Sequence, residues 1–403
     1  MTTRGERMLA LRRARMAAAP PFLRGGFRPF FFFGPAWAII ALALWLVAAA
    51  GGVTLPTALQ PLAWHRHEML FGFVGAIIAG FLLTAIPNWT GRLPIAGRPL
   101  AALVGLWAAG RLAVLFSAAT GPVTAAILDA GFYLVLAGVA GREVLASKNR
   151  NLPVVGLVLL LGIANAADHA GAAGLLRDAD IGIRAAISLV VMMISLIGGR
   201  IIPSFTRNWL MKQGSRHRLP GQPTRFDMAV LALTVAALLA WTVTPDRAPA
   251  GWLLAAAGCA QAARLARWGG LRSARDPLVL ILHVGYLWVP IGLLLLGASI
   301  VGTSIPRSAA IHALTAGAMA TMILAVMTRA ILGHTGRELA ASPQTAFLYV
   351  LVTLGAVLRV AAPLGILDYA AGLEIAATAW AGAFILFLAI YGPILFRPRL
   401  GEA

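Results

Sequence analysis

Twelve apolar segments, each about as long as a membrane-spanning helix, divide this chain from near its beginning to near its end. A helix needs about 20 predominantly apolar residues to cross the hydrocarbon core of a bilayer. Glycine or proline residues separate the segments, as at Gly51, Pro87 and Pro203. The pattern predicts an all-α polytopic membrane protein, a bundle of about 12 transmembrane helices. The predicted spans are 32–51, 65–86, 99–118, 122–142, 152–171, 181–202, 227–245, 249–267, 277–299, 307–331, 344–363 and 370–396.

Basic residues alternate between the linkers. Of the 33 Lys and Arg residues, 26 fall in the N-terminal arm, after even-numbered spans or in the tail, whereas five follow odd-numbered spans. Because loops rich in Lys and Arg lie on the cytoplasmic side of a membrane, both termini are predicted to be cytoplasmic. The predicted division is a basic cytoplasmic arm (1–31), a first six-helix half (32–202), a basic cytoplasmic linker (203–226), a second six-helix half (227–396) and a cytoplasmic tail (397–403).

The formal charge of +19 does not indicate a nucleic-acid partner, because nearly all of it is Arg at span boundaries. The lipid bilayer is the partner that the composition predicts. Cys259 is the single cysteine, so neither a disulfide framework nor a cysteine metal cage is expected. The sequence also lacks the phosphate-binding and zinc-protease motifs of soluble enzymes.

The sequence WHRHEM at residues 64–69 lies at the predicted beginning of the second span. Ionisable side chains are costly in hydrocarbon and mark functional sites in membrane proteins. His65 and His67 lie about 200° apart on a helix, so they face different neighbours unless the helix unwinds. His65, Glu68 and Met69 share a face. Imidazole, carboxylate and thioether groups are donors suited to haem iron or copper.

Depth along the alternating spans places His65, His67, His169 and His312 in the outer third of the bilayer. A lone histidine at a span end usually bonds a carbonyl group at the interface, but four at one depth predict a metal site. Glu68, Met69, Asp129, Asp168 and Met319 are its candidate surrounding groups. Arg111 and Arg359 are candidate cofactor-binding residues in the same half. We expect Arg111 to pair with Asp129 or with a haem propionate, since an isolated buried Arg is very costly.

His283 and His334 fall in the cytoplasmic half by the same count. They either form a second cofactor centre or have structural roles. Two centres would provide an electron path across the membrane, fed from the cytoplasm, by quinol or by another electron donor.

Short motifs occur in order along nearly the whole chain. They include FRPFF (27–31), WHRHEM (64–69), PNWTGR (87–92), RNLP (150–153), NAADH (165–169), GGRIIPSFTRN (198–208), LHVGY (282–286), MTR (327–329) and GHTGR (333–337). In these motifs the chain resembles the NnrS family of bacterial membrane proteins. Arg66 departs from the family pattern, where a small residue is expected, and adds a cation beside two imidazoles.

The resemblance implies haem (b-type) and copper as cofactors, and nitric oxide as the partner. It further implies expression with denitrification genes, protection under nitrosative stress, and a place in the bacterial cytoplasmic (inner) membrane. Whether nitric oxide is turned over by a metallo-oxidoreductase, sensed or buffered stays open. A twelve-span secondary transporter and a haem or copper delivery protein are the alternatives.

Overall fold

The computed structural model of the protein describes residues 18–149, 151–302 and 304–401, together with residues 10 and 14. Residues 1–9, 11–13 and 15–17 of the predicted arm lie outside the described residues. So do Arg150 of the RNLP motif and the last two residues of the predicted tail.

Helices account for 78% of the protein, and no strand occurs in the described ranges. Eleven of the long helices there are apolar enough to cross a membrane, which confirms the predicted all-α polytopic class. We number the long helices α1 (Phe27–Ala49), α2 (Pro61–Thr90), α3 (Arg98–Leu115), α4 (Pro122–Ala146), α5 (Leu152–Ala172), α6 (Ile181–Lys212), α7 (Arg225–Val243), α8 (Ala248–Ala266), α9 (Pro277–Ile300), α10 (Arg307–His334), α11 (Pro343–Ala361) and α12 (Tyr369–Leu395).

The helix α8 coincides with the predicted eighth span but is not among the eleven apolar candidates. Its C-terminal half carries Gln261 and Arg264, which are 0% and 1% exposed. Gly258 lies so close to α9 that a Cβ there would meet the Leu294 side chain at 2.7 Å. The polar side chains of α8 are therefore covered by protein, as an intramembrane arginine requires.

Two long helices contain a seven-residue π-helical segment. In α2 it runs over Glu68–Val74 and in α10 over Ala313–Met319, and each directly follows a candidate histidine, His67 or His312. A π turn breaks the regular ladder of backbone hydrogen bonds, and such turns are frequent at functional sites. In α2 two carbonyl groups of the segment accept side-chain donors, from the Tyr133 hydroxyl (2.6 Å) and the Trp107 indole (3.0 Å).

The chain divides into two compact units by its internal contacts. Unit 1 contains α1 to α5, residues 181–186 of α6 and the end of α12 from Leu388; unit 2 contains residues 187–387. Both α6 and α12 thus contribute to each unit. The predicted six-helix halves, 32–202 and 227–396, stay a prediction from the sequence.

Within unit 1 the beginning of α1 contacts the end of α12. The buried Arg28 guanidinium donates to the carbonyl groups of Leu395 and Arg397, at 2.7 Å each, and the Phe22 and Phe396 rings stack at 4.2 Å. Carbonyl groups at a helix end lack intrahelical partners, so a cation stabilises them. Two helix ends in contact lie on one face of a membrane. The chain from the beginning of α1 to the end of α12 must therefore cross the membrane an even number of times. If the other eleven helices cross, α8 crosses as well.

Candidate metal centre

Three side chains from three helices of unit 1 point donor atoms at one spot. Asp129 Oδ2 of α4 lies 2.7 Å from His67 Nε2 of α2 and 3.1 Å from His169 Nε2 of α5. The three donor atoms all lie within 4.8 Å of one another. Nitrogen and oxygen donors bind a transition-metal ion at about 2.0 to 2.2 Å and hence lie roughly 3 Å apart. Among the described residues, this is the group of histidine, cysteine and acidic side chains with the spacing of a metal site.

Local structure aims each of these side chains inward. His67 is the last residue before the π-helical segment of α2, and His169 lies in the last turn of α5. Gly110 of α3 lies against the backbone of Asp129, where a Cβ would be 3.2 Å from the Asp129 Cα. A glycine here lets α3 and α4 approach closely, which brings the arginine at position 111 beside the carboxylate.

A second carboxylate orients His67. Asp168 Oδ2 lies 2.7 Å from His67 Nδ1, and the His67 ring is completely buried. With Nδ1–H donated to Asp168, the Nε2 lone pair would be available to a metal ion that takes the place of the proton shared with Asp129. A carboxylate that accepts a hydrogen bond from the other ring nitrogen is the usual partner of a histidine that binds a metal, because it fixes the orientation of the ring.

Arg111 links Asp129 of the cluster to a further carboxylate, that of Glu68. Its Nη1 donates to Glu68 Oε2 at 2.7 Å, and its Nη2 pairs with Asp129 Oδ1. The Trp37 indole also donates to Glu68 Oε2, at 2.6 Å. Arg111, Glu68 and Asp129 are each at most 2% exposed. The structure thus gives Arg111 one of the two partners expected from the sequence, Asp129, and adds Glu68.

Binding of a metal ion through both imidazoles would require them to be neutral, without protons shared with the carboxylates. With Glu68, Asp129 and Asp168 then ionised, Arg111 would offset one of three negative charges, and two would remain. Uncompensated charge inside a membrane protein is strongly unfavourable. A divalent cation at the donor atoms would neutralise the cluster.

Two buried oxygen atoms of this cluster have no hydrogen-bond partner among the described residues. They are Glu68 Oε1 and Asn165 Oδ1. The Asn165 amide nitrogen donates to Asp129 Oδ2 at 2.7 Å, the oxygen that also contacts both histidines. Asn165 was not predicted as a site residue, although its place one helical turn before His169 was a usable signal.

Two ion pairs lie close to the cluster along the chain, one beside His67 and one in the α5–α6 connection. Arg66 pairs with Asp180 at 2.5 Å, so its cation is bound to an exposed aspartate in the α5–α6 connection. Arg184 pairs with Asp178 nearby, and its hydrogen bond holds the pKa of the Asp178 carboxyl below the ordinary value. The cation that departs from the family pattern is therefore paired in the connection that precedes α6.

The structure does not bring His65 into the cluster. Its ring stacks on Trp45 of α1, with ring centroids 4.2 Å apart and planes 24° apart. Glu68 also faces α1, through Trp37, as its predicted common face with His65 requires. His65 is outside the group of three donor residues, and the predicted roles of His65 as a ligand and of Met69 beside it stay predictions.

Unit 2 contains the other candidate residues. His312 Nδ1 lies 2.7 Å from the Ser308 carbonyl oxygen one turn earlier, which leaves Nε2 on the far side of the ring. Met319 ends the π-helical segment of α10 and is 1% exposed. A ligand role for His312 stays a prediction, as does a role for Met319 beside it.

His283 is hydrogen-bonded through Nε2 to the Thr206 hydroxyl at 2.9 Å. Its other ring nitrogen faces Gly270, where a Cβ would lie 2.7 Å from Nδ1. Thr206 itself donates to the Ile202 carbonyl, so the histidine is the donor of the pair. This packing suits a structural role for His283.

His334 is the last residue of α10, and Arg359 lies in the last turn of α11 with a buried Nη1 that has no hydrogen-bond partner among the described residues. Their predicted cofactor roles stay predictions.

A second buried polar network lies in unit 2 and was not predicted. Arg264 of α8 donates to Asp227 at 2.9 Å and to the Tyr286 hydroxyl at 3.0 Å, and Tyr286 donates to Gln261 at 2.6 Å. A Cβ at Gly199 would collide with the Arg264 guanidinium. The network connects α7, α8 and α9 to α6. Because the charges of Asp227 and Arg264 offset each other, it does not require a cation.

Comparison with known families identifies a match to the chain. The family model described as NnrS protein matches residues 21–399, nearly the whole chain. All residues of the donor group and of the Arg111 pairs lie inside the match. No curated protein matches the chain.

Proposed function

The chain belongs to the NnrS family of membrane proteins linked to the nitric oxide response, and from this premise we propose that it binds nitric oxide at one metal ion. The ion would be held by His67, Asp129 and His169 inside the helix bundle. The strongest support is the Asp168–His67 hydrogen bond of 2.7 Å, which orients a buried imidazole toward two more donor atoms. The bundle would lie in the cytoplasmic membrane of a bacterium.

Copper fits the donor group better than haem does. Two imidazoles and a carboxylate are ligands that copper accepts, and a divalent ion balances the two excess negative charges. A haem iron between these imidazoles would place its porphyrin where Asp129 Oδ2 now contacts both ring nitrogens, at 2.7 and 3.1 Å. We therefore assign copper to this cluster. The haem that the family implies would need other ligands.

Each residue of the cluster has a distinct task in this proposal. His67, His169 and Asp129 would bind the ion, and the Asp129 carboxylate at the same time accepts a hydrogen bond from Arg111. Asp168 fixes the tautomer of His67. The bound metal would supply an open coordination position that nitric oxide can occupy. Nitric oxide is small and apolar enough to enter from the lipid, so the buried site needs no polar channel.

The test is nitric oxide binding by the purified protein in lipid nanodiscs loaded with one equivalent of Cu(II). Binding of the radical to Cu(II) couples the two unpaired electrons, so the copper EPR signal should disappear on addition and return when the gas is removed. His65→Ala is the matched control and should behave as wild type, whereas Asp129→Asn should hold little copper. A fully loaded wild type whose EPR signal ignores nitric oxide would contradict the proposal. Copper that exchanges within minutes with an added chelator would favour a delivery protein.

A further inference from the structure

Asn165 lies among the donor atoms without being one of the three. It is on α5, three residues before Asp168 and four before His169, so all three side chains share one helix face. Its side chain is completely buried. Its amide nitrogen lies 2.7 Å from Asp129 Oδ2, the oxygen at the centre of the group.

The oxygen atom of this amide is unsatisfied. Asn165 Oδ1 has no hydrogen-bond partner among the described residues, although it is fully buried. Buried polar atoms are nearly always paired, so an orphan beside charged groups calls for a ligand. Rotation of the amide about Cβ–Cγ exchanges its nitrogen and oxygen without moving the helix. Oδ1 has no hydrogen bond to lose in that rotation, and the amide nitrogen gives up its hydrogen bond to Asp129.

We propose that Asn165 Oδ1 is the fourth ligand of the metal ion, an inference that rests on the proposed function of the cluster. Without metal, the amide nitrogen donates to the Asp129 carboxylate. When a cation takes the place of shared protons, the same amide turns its oxygen to the ion. The site then has two nitrogen and two oxygen donors, a set that suits a divalent ion and disfavours Cu(I), which prefers sulfur ligands.

A structural role is the competing explanation. In that case Asn165 only positions Asp129 by its amide hydrogen bond, in the metal-free and the metal-bound protein alike. The substitution Asn165→Asp separates the two roles. It keeps an oxygen ligand but loses the amide donor and adds a charge next to Asp129.

The experiment is titration of metal-free protein in nanodiscs with Cu(II), followed by EPR. Asn165→Leu should weaken binding by at least about 10-fold, the loss typical for groups that tune a metal site, and should change the EPR parameters. Asn165→Asp should bind at least as tightly as wild type. Gln261→Leu is the matched control, since it removes a buried amide from the network of unit 2. It should leave copper affinity unchanged.

The outcomes separate this inference from the proposed function. If Asn165→Leu binds copper with wild-type affinity and an unchanged EPR spectrum, or if Asn165→Asp loses affinity as Leu does, Asn165 is not a ligand. If His67→Ala binds copper as wild type does, the cluster itself is not the metal site, and the proposed function fails first.

Discussion

Removal of the Arg111 charge should be among the most destabilising single changes in unit 1. The guanidinium is 2% exposed and pairs with two carboxylates, Glu68 and Asp129, which are themselves buried. Loss of one partner of a buried ion pair typically costs about 3 to 5 kcal/mol, because the other charge stays buried and uncompensated. Arg111→Met leaves two such carboxylates, so we expect a loss at the upper end, about 5 kcal/mol. Arg66→Met breaks an exposed ion pair with Asp180 and should cost about 0 to 1 kcal/mol.

The assay is equilibrium unfolding of the metal-free protein in mixed micelles by increasing SDS, read from helix content and from tryptophan fluorescence. Since Glu68→Gln removes one of the stranded charges, the double variant Arg111→Met with Glu68→Gln should regain part of the loss. If Arg111→Met costs no more than Arg66→Met, the buried network does not carry the charges that the structure assigns to it. If the double variant is less stable than Arg111→Met, electrostatic imbalance is not the cause.

Three further predictions follow from the same contacts. Gly72→Ala would place a Cβ 2.6 to 2.9 Å from polar atoms of Glu68, Arg111 and Trp37, so it should lower both thermal stability and copper content. Gly105→Ala is the control, because a Cβ there meets no atom within 4 Å, and it should change neither. Met319→Leu conserves volume at a buried position and should cost less than about 1.5 kcal/mol with copper content unchanged, as thermal unfolding and metal analysis can check. Reporter fusions should place Gly214 in the cytoplasm and Gly121 in the periplasm, and two contradictory fusions would overturn the predicted orientation.

The bundle was predictable because span length and composition determine it directly. Every predicted span corresponds to a long helix, since only a helix satisfies its own backbone in hydrocarbon. The predicted second span began at 65, but α2 begins at Pro61, where a proline at the first turn loses no hydrogen bond. The predicted sixth span ended at 202, but α6 continues to Lys212, because a helix can extend beyond the membrane where composition turns polar.

The sequence supports a prediction of how deep each histidine lies in the bilayer, but not of which side chains surround it in the bundle. Helical spacing put His65 and His67 on opposite faces, and the structure indeed turns one toward α1 and the other toward α4 and α5. Which face meets other donors depends on helix packing, which the residue pattern of a single sequence does not reveal. The π-helical segment after His67 also shifts the angular register of α2, and simple periodicity cannot anticipate such a shift. Asp129 was therefore predicted as a surrounding group, although its carboxylate is one of the three clustered donors in the structure.

Metal content of the purified protein tests the central claim most directly. Wild type, His67→Ala and His65→Ala should be purified in parallel, loaded with Cu(II), freed of loosely bound metal and analysed for copper per chain. We predict one copper ion per chain in wild type and in His65→Ala, and almost none in His67→Ala. Equal copper content in wild type and His67→Ala would contradict the account, as would loss of copper in His65→Ala alone.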